Sequence, residues 1–165
     1  MKIETFMFES DKDIPNNPDL PVLVCWNAAT SSRMAKYFES CFDQNGWAGI
    51  WTDTVYDYTH FHPNAHEVIG VSMGKGRIQI GGEKGRAFDL NAGDMLILPA
   101  GTGHRRIGQS PEFQAVGAYP WGQENYETAR NAADMAGTLA RIKEVELPRR
   151  DPLFGFDGPL LDHWK

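Results

Sequence analysis

The sequence predicts an all-β domain with one helix before the β-rich region and one helix plus an extended tail after it. Three observations predict this class: short strand-like runs between glycine and asparagine turns over residues 47–119, a helical apolar stripe before them, and an Ala, Glu and Arg-rich segment after them. At 165 residues and 41% hydrophobic content, we expect one domain over 1–165. The expected parts are a core sandwich or barrel at about 47–119, N-terminal strands and a helix in 1–46, and a helix and tail in 120–165.

The N-terminal region begins with an apolar alternation around Ile3, Phe6 and Phe8. Residues 11–18 contain two prolines and two asparagines, which predict a loop or turn. The run Leu20–Trp26 then predicts a strand, and we expect Pro21 to keep its start near a sheet edge, because proline cannot donate to a ladder.

A helix is predicted next, with Thr30 or Ser31 as its N-cap and Asn45-Gly46 as its C-terminal stop. Apolar residues recur there at helical spacing, at Met34, Tyr37, Phe38, Cys41 and Phe42. We interpret this stripe as the face by which a helix packs on the outside of the fold.

Eight runs in the β-rich region are candidate strands. They are Ala48–Thr52, Val55–Phe61, Glu67–Met73, Arg77–Ile80, Arg86–Leu90, Met95–Leu98, His104–Ile107 and Phe113–Tyr119. The glycine-rich stretch 81–85 lacks the spacing of a phosphate-binding loop and predicts a hairpin turn.

After the β-rich region, Glu124 to Lys143 predicts one helix, weakened in its middle by Gly137 at a cost of about 1 kcal/mol relative to alanine. The following end of the chain is proline-rich and predicts an extended tail. Its apolar residues indicate that it is held on a surface, either of this chain or of a partner subunit.

Composition excludes several classes of function. The net charge of −6 and the pI of about 5.3 argue against a nucleic-acid surface, which needs a basic patch. No apolar run reaches the length of a membrane span, and the N-terminus lacks a signal-peptide pattern. The two cysteines, Cys25 and Cys41, are expected to be buried free thiols. We therefore expect a cytoplasmic protein that binds neither nucleic acid nor membrane.

Four of the five histidines lie between His60 and His104. His60 and His62 are two residues apart on a predicted strand, so their side chains should share one face. Glu67 begins the next strand, and His104 follows a proline-glycine turn. Three imidazoles and one carboxylate can surround a first-row metal ion and leave open positions. Binding needs neutral imidazoles and an ionised Glu67, so it should weaken in acid.

Other polar residues near this cluster have competing interpretations. His66 neighbours Glu67 and should point to the opposite face of the strand, away from a metal, although a supporting role is conceivable. Arg106 either faces inward to pair with an anionic substrate or, by the favoured interpretation, is solvated or salt-bridged. Tyr58 and Tyr119 either line a cavity or, more commonly, are core aromatics.

These residues resemble the two motifs of the cupin superfamily. His60-x-His62-x4-Glu67-x6-Gly74 matches the first motif from its histidines onward, and Gly93-x5-Pro99-x-Gly101-x2-His104 matches the second up to its histidine. The first motif is especially similar to that of germins. Thr54 and Gly108 depart from the pattern, where a glycine and an asparagine are expected, but neither position is a metal ligand in the family.

The resemblance implies a small single-domain cupin of bacterial type, a jelly-roll β-barrel with a metal near one mouth. The family's metal ligands carry over to His60, His62, Glu67 and His104. The implied cofactor is one divalent transition metal ion, with Fe, Mn, Ni, Zn and Cu all open. The resemblance also implies a small-molecule ligand or substrate and a homodimer.

Three functions stay open, because fold and activity are loosely linked. The first is a metal-dependent enzyme, an oxygenase or a related redox or lyase activity on a small organic acid or diol. The second is a sugar or sugar-phosphate isomerase, which would need basic groups near the cavity. The third is a binding module that holds a small molecule without turnover.

Overall fold

The structure is a computed structural model that describes residues 1–165. It contains nine strands and three helices, which confirms a mainly β architecture. In chain order they are β1 Lys2–Phe6, β2 Val22–Trp26, α1 Met34–Gln44, β3 Trp47–Asp53, β4 Glu67–Met73, β5 Lys75–Ile80, β6 Arg86–Asn91, β7 Met95–Leu98, β8 His104–Gln109, β9 Gln114–Pro120, α2 Met135–Lys143 and α3 Pro159–His163.

Two antiparallel sheets form the fold. The larger has six strands in the order β1-β2-β7-β4-β9-β3, and the smaller has three in the order β6-β5-β8. Neighbours in the sheets are mostly distant in sequence, as in the expected jelly roll. Strand β1 pairs with β2, and β2 pairs with β7, so the large sheet extends beyond the predicted core of residues 47–119.

Both faces of the large sheet are buried, because alternate residues of each strand enter different clusters. Val22 and Val24 of β2 face the small sheet together with Ile78 and Leu90. Leu23 and Cys25, on the opposite face, belong to a second cluster with the helix α1 and the C-terminal tail. Burial on both faces explains why β4 and β7 are almost purely apolar runs.

Helix α1 packs on the outer face of the large sheet, as predicted. Phe38 and Phe42 are fully buried there, and a Cβ atom at Gly70 of β4 would lie 2.9 Å from the Phe38 ring. Gly46 ends the helix with φ +76°, which confirms the predicted stop. The predicted N-cap is wrong: Arg33 holds that position, and no side chain caps the helix.

Seven of the eight runs predicted in the β-rich region are strands, and the stretch 81–85 is the predicted turn between β5 and β6. The prediction of a strand over Val55–Phe61 is wrong. This segment makes only isolated bridges, His60 with His104 and Phe61 with Ala129. The alternating aromatic residues of this segment pack at the mouth of the barrel instead of alternating between the two faces of a sheet.

The predicted helix over Glu124–Lys143 begins eleven residues late, at Met135. Residues before it pair elsewhere: the backbone of Ala129 exchanges hydrogen bonds with Phe61. The side chain of Asp134 caps α2 by accepting from the N–H of Gly137. Gly137 therefore lies in the first turn, where a Cβ atom would come 2.3 Å from the Asp134 carboxylate.

The C-terminal tail is held on this chain's own large sheet, and it includes the short helix α3, which the sequence did not predict. Leu160 and Trp164 are buried in the cluster that contains α1, and the indole of Trp164 donates to the carbonyl of Pro21 at 2.9 Å.

Strand β2 is an interior strand of the large sheet, so Pro21 does not mark an edge but lies just before the ladder. The cysteines are free, with Cys25 buried and Cys41 only half-buried. No helix of the fold has the length and apolar character needed to cross a bilayer.

Candidate metal centre

Three histidine side chains meet at one mouth of the barrel. Each of His60, His62 and His104 offers one ring nitrogen, and these three nitrogens lie within 4.8 Å of one another. None of the three residues is more than 5% exposed. This arrangement brings together residues that are up to 44 positions apart in the chain.

A tight backbone turn brings the histidines together. His60 and His104 exchange both backbone hydrogen bonds, at 3.1 and 2.9 Å, and the N–H of Gly101 donates to the carbonyl of His62 at 2.8 Å. Gly101 has φ +87°, and a Cβ atom there would lie 2.4 Å from Ile142 Cδ1. Glycine at this position therefore lets the turn lie against helix α2 while it holds both histidine segments.

Backbone carbonyls fix which ring nitrogen carries the proton. The Nδ1 atoms of His60, His62 and His104 lie 3.0, 2.8 and 2.9 Å from the carbonyls of Tyr58, Glu127 and Thr102. A carbonyl can only accept, so each neutral ring is protonated at Nδ1. Each Nε2 is then left with a lone pair, which is the state of a metal-ligating histidine.

Glu67, the first residue of β4, points its carboxylate at the same place. Its Oε2 lies 2.9 Å from His62 Nε2 and 3.4 Å from His104 Nε2. With the ring protons on Nδ1, these nitrogens cannot donate, and the fully buried Oε2 has no hydrogen-bond partner. A carboxylate oxygen against two lone pairs requires a cation between them, either a proton or a metal ion.

The pKa shifts of His60, His62 and Glu67 agree with this arrangement. Burial, and then the neighbouring His104, lowers the pKa of His60 to about 3. Burial is the largest influence on the pKa of His62 and would lower it, but the charge of Glu67 and the hydrogen bonds to Glu67 and to the carbonyl of Glu127 together outweigh burial, and the pKa is raised. Burial opposes ionisation of Glu67, yet His62 and His104 hold its pKa well below the usual range. At neutral pH the site therefore holds an ionised carboxylate and at least one neutral imidazole.

A cavity of about 180 Å³ opens above these four residues. Its wall is largely aromatic, and its other lining residues are Trp51, Asp53, Thr54, Val55, Tyr56, Ile69, Tyr119 and Tyr126. Larger surface grooves exist, but they contain none of the three clustered histidines.

His66 points away from the cluster, as predicted. Its ring lies 4.8 Å from the Trp164 ring, and its Nδ1 accepts from the N–H of Ala100 at 2.8 Å. Arg106 does not line the cavity, and its Nε donates to the carbonyl of Val55 at 3.1 Å. Tyr58 is also outside the lining, whereas Tyr119 belongs to it.

Three aromatic lining residues were missed by sequence reasoning, namely Trp51, Tyr56 and Tyr126. Tyr126 comes from the segment predicted as helix, and Tyr56 from the segment predicted as a strand. Trp51 packs against the cluster between the two sheets, but simple alternation does not place it there, because the register of β3 shifts between Ala48 and Trp51. No signal in the sequence identifies Tyr126.

Comparisons with known proteins match this chain to one protein family and to a relative that it covers almost completely. The cupin domain family matches residues 50–116. The uncharacterized protein YjlB of Bacillus subtilis is 37% identical over 161 residues, which is 98% of this chain and 96% of that protein.

Among solved structures, a Klebsiella pneumoniae protein with a double-stranded β-helix domain is 19% identical, with a TM-score of 0.40 over 78% of this chain and 80% of that one. The TDP-quinovose 3,4-ketoisomerase WlaRB of Campylobacter jejuni is 16% identical, with a TM-score of 0.42 over 55% of this chain and 73% of that one.

Proposed function

This chain belongs to the cupin family, and from that premise we propose that it is a metal-dependent enzyme, an oxygenase or a related redox or lyase enzyme, acting on a small organic acid or diol. One observation carries the proposal: the buried Oε2 of Glu67 faces the Nε2 atoms of His62 and His104 without a donor, beneath an open cavity. This set of donor atoms fits a divalent transition metal.

We propose His60, His62, Glu67 and His104 as the residues that would hold this ion. Imidazole nitrogens and a carboxylate suit Fe, Mn, Ni, Zn and Cu, so the donor set leaves the metal's identity open. A bound ion would supply Lewis-acid chemistry and, if redox-active, electron transfer.

The chain's own residues contribute orientation and a shielded environment. The hydroxyl of Tyr119 accepts from Trp51 Nε1 at 3.1 Å and lies 3.5 Å from Glu67 Oε1, where it can donate. Burial, and then the charge of Glu67, raises the pKa of Tyr119, so the phenol stays protonated at neutral pH. Tyr119 therefore orients the carboxylate and presents a neutral polar group to a ligand.

Metal analysis of protein purified without added metal tests the proposal. We expect about one transition metal ion per chain, and at least tenfold weaker binding in His62→Gln and Glu67→Gln. His66→Gln is the matched control, a buried histidine next to Glu67 that faces the other way, and it should keep the metal. Absence of metal from the purified protein, and no uptake on reconstitution, would refute the proposal.

Catalysis is tested separately on the metal-loaded protein, by oxygen consumption and product analysis with small organic acids and diols. A ligand that raises the melting temperature and is recovered unchanged would instead support the binding-module alternative. The sugar-phosphate alternative has less support, because no lysine or arginine lines the cavity.

We also propose a homodimer in the cytoplasm. A groove beside the C-terminal end of α1 carries Trp121, 78% exposed, and Arg150, which lies under the exposed ring of Phe156. Its lining includes both acidic and basic side chains, which allows charge pairing between two copies of the same surface in a two-fold contact. Light scattering should give twice the chain mass, and the double change Trp121→Ser and Phe156→Ser should halve it.

A further inference from the structure

Apart from the imidazoles, the ionisable side chains with a full charge that line the cavity are all acidic. Glu67 lies at its floor and Asp53 at its exposed rim, and no lysine or arginine is among the twelve lining residues. Arg106, the residue that could have paired with an anionic substrate, is outside the lining and donates to the carbonyl of Val55. An anionic group on a ligand, other than one that reaches a bound metal, would therefore find no cation and would face a carboxylate.

Aromatic rings form a fixed wall above the histidines. Tyr126 stacks on Tyr119 with ring centroids 4.0 Å apart and lies edge-on to His62 at 4.7 Å. Trp51 is held beside these two tyrosines by the hydrogen bond that its Nε1 donates to the hydroxyl of Tyr119. Rings held in this way favour a flat apolar ligand body that can stack on them.

The volume limits the ligand. At about 180 Å³ the cavity is smaller than the roughly 300–1,000 Å³ of sites for drug-sized molecules. A single ring with small polar substituents suits this space better than a nucleotide or a disaccharide.

From these features we infer that the cavity takes an uncharged vicinal diol carried on a single ring, with the two hydroxyls toward the histidines and the ring against Tyr126 and Tyr119. The inference rests on the proposed function and narrows its substrate from organic acids and diols to neutral diols. Tyr126 is then a specificity-determining residue, although it lies outside the matched family region of residues 50–116.

A matched pair of probes tests this inference: catechol, and 3,4-dihydroxybenzoate, which adds a carboxylate on the side of the ring away from the diol. Calorimetric titration uses protein loaded with Zn(II), with the retained zinc measured before and after. We expect catechol to bind about tenfold or more tightly than the acid. Equal or tighter binding of the acid, or no binding of catechol to zinc-loaded protein, would overturn the inference.

Variants test whether Tyr126 in the aromatic wall and Asp53 at the rim cause the preference for catechol over the acid. Tyr126→Leu should weaken catechol about tenfold, whereas Tyr37→Leu, an exposed tyrosine on α1, should leave it unchanged. Asp53→Lys should narrow or reverse the preference by favouring the acid. If the wild-type protein prefers 3,4-dihydroxybenzoate, and Arg106→Ala weakens the binding of this acid but not of catechol, then Arg106 contacts the ligand and the inference is wrong.

The outcomes separate this inference from the proposed function. If the protein binds neither zinc nor another transition metal, the metal analysis already refutes the proposed function, and the inference about the diol is refuted together with it. A protein that holds metal and prefers the acid keeps its proposed function and loses only the neutral-diol assignment. Cyclohexane-1,2-diol, which is neutral and not aromatic, should bind more weakly than catechol, and equal binding would contradict the stacking role of Tyr126.

Discussion

The imidazole of His66 lies between the proposed metal ligands His62 and Glu67 in the chain, yet it belongs to the protein's structural core. It is fully buried between the N–H of Ala100 and the ring of Trp164, and its Nε2 has no hydrogen-bond partner. Burial lowers its pKa to about 4, although the carbonyls of Glu146 and Val145 oppose this shift. Its ring is therefore neutral in the folded protein wherever the pH is well above that value.

This pKa predicts a contribution to acid sensitivity. Between the unfolded value of about 6.5 and the folded value of about 4, only the unfolded chain binds this proton, so stability falls as the pH is lowered, by on the order of 1 kcal/mol per unit. Urea unfolding of metal-free protein at several pH values should show a shallower dependence for His66→Gln. His163→Gln, an exposed histidine, should keep the wild-type dependence, and equal slopes in all three would contradict the prediction.

Among the elements, the turn from Pro99 to His104 does most to shape the site. It holds the carbonyl of His62 through Gly101 and places His104 opposite His60. Its close contact with Ile142 also makes helix α2 a support of the site, although α2 is far away in sequence.

Replacing Gly101 with alanine should therefore affect both stability and metal binding. The control is Gly122→Ala, because Gly122 has a similar φ of +93° but open space around its Cβ position. We expect a cost of about 1 kcal/mol at Gly122, from backbone strain alone, and about 2 kcal/mol more at Gly101. Metal affinity should fall about tenfold only in Gly101→Ala, and equal effects in the two variants would exclude the steric role of Ile142.

The tail is organised by one buried carboxylate, that of Asp151. Its Oδ1 accepts from the N–H groups of Leu153 and Phe154, and its Oδ2 accepts from that of Leu160. Asp151→Ala leaves these donors unpaired and should cost about 3 kcal/mol or more of unfolding free energy. Asp157→Ala, at an exposed position in the same tail, should change stability by about 0.5 kcal/mol or less. Denaturant unfolding measures both.

At the scale of the whole molecule, one apolar cluster covers the outer face of the large sheet. It joins the N-terminal strands, the barrel strands, α1 and the C-terminal tail. Leu23 of β2 and Trp164 at the end of the chain are both part of it, and the indole of Trp164 also bonds to Pro21. On this basis we propose that residues 1–165 form one domain.

A single domain predicts one unfolding transition. Cys25 is fully buried in β2, an interior strand of the large sheet, where burial and then Asp151 raise the pKa of its thiol to about 12. It should resist alkylation at pH 8 in the folded protein, whereas the half-buried Cys41 reacts sooner. Labelling of Cys25 across a urea series should coincide with the change in tryptophan fluorescence. Separate midpoints would show that part of the chain unfolds independently.

The sequence alone determined most of the strands, the packing face of α1 and the residues that meet at the mouth of the barrel. Strand periodicity and turn residues are local signals, and the two histidine motifs have fixed spacings. Only the tertiary structure decided that Val55–Phe61 is not a strand, that α2 begins at Met135, and that Tyr126 joins the cavity wall. In each of these cases contacts with distant segments, such as the pairing of Phe61 with Ala129, override local propensity.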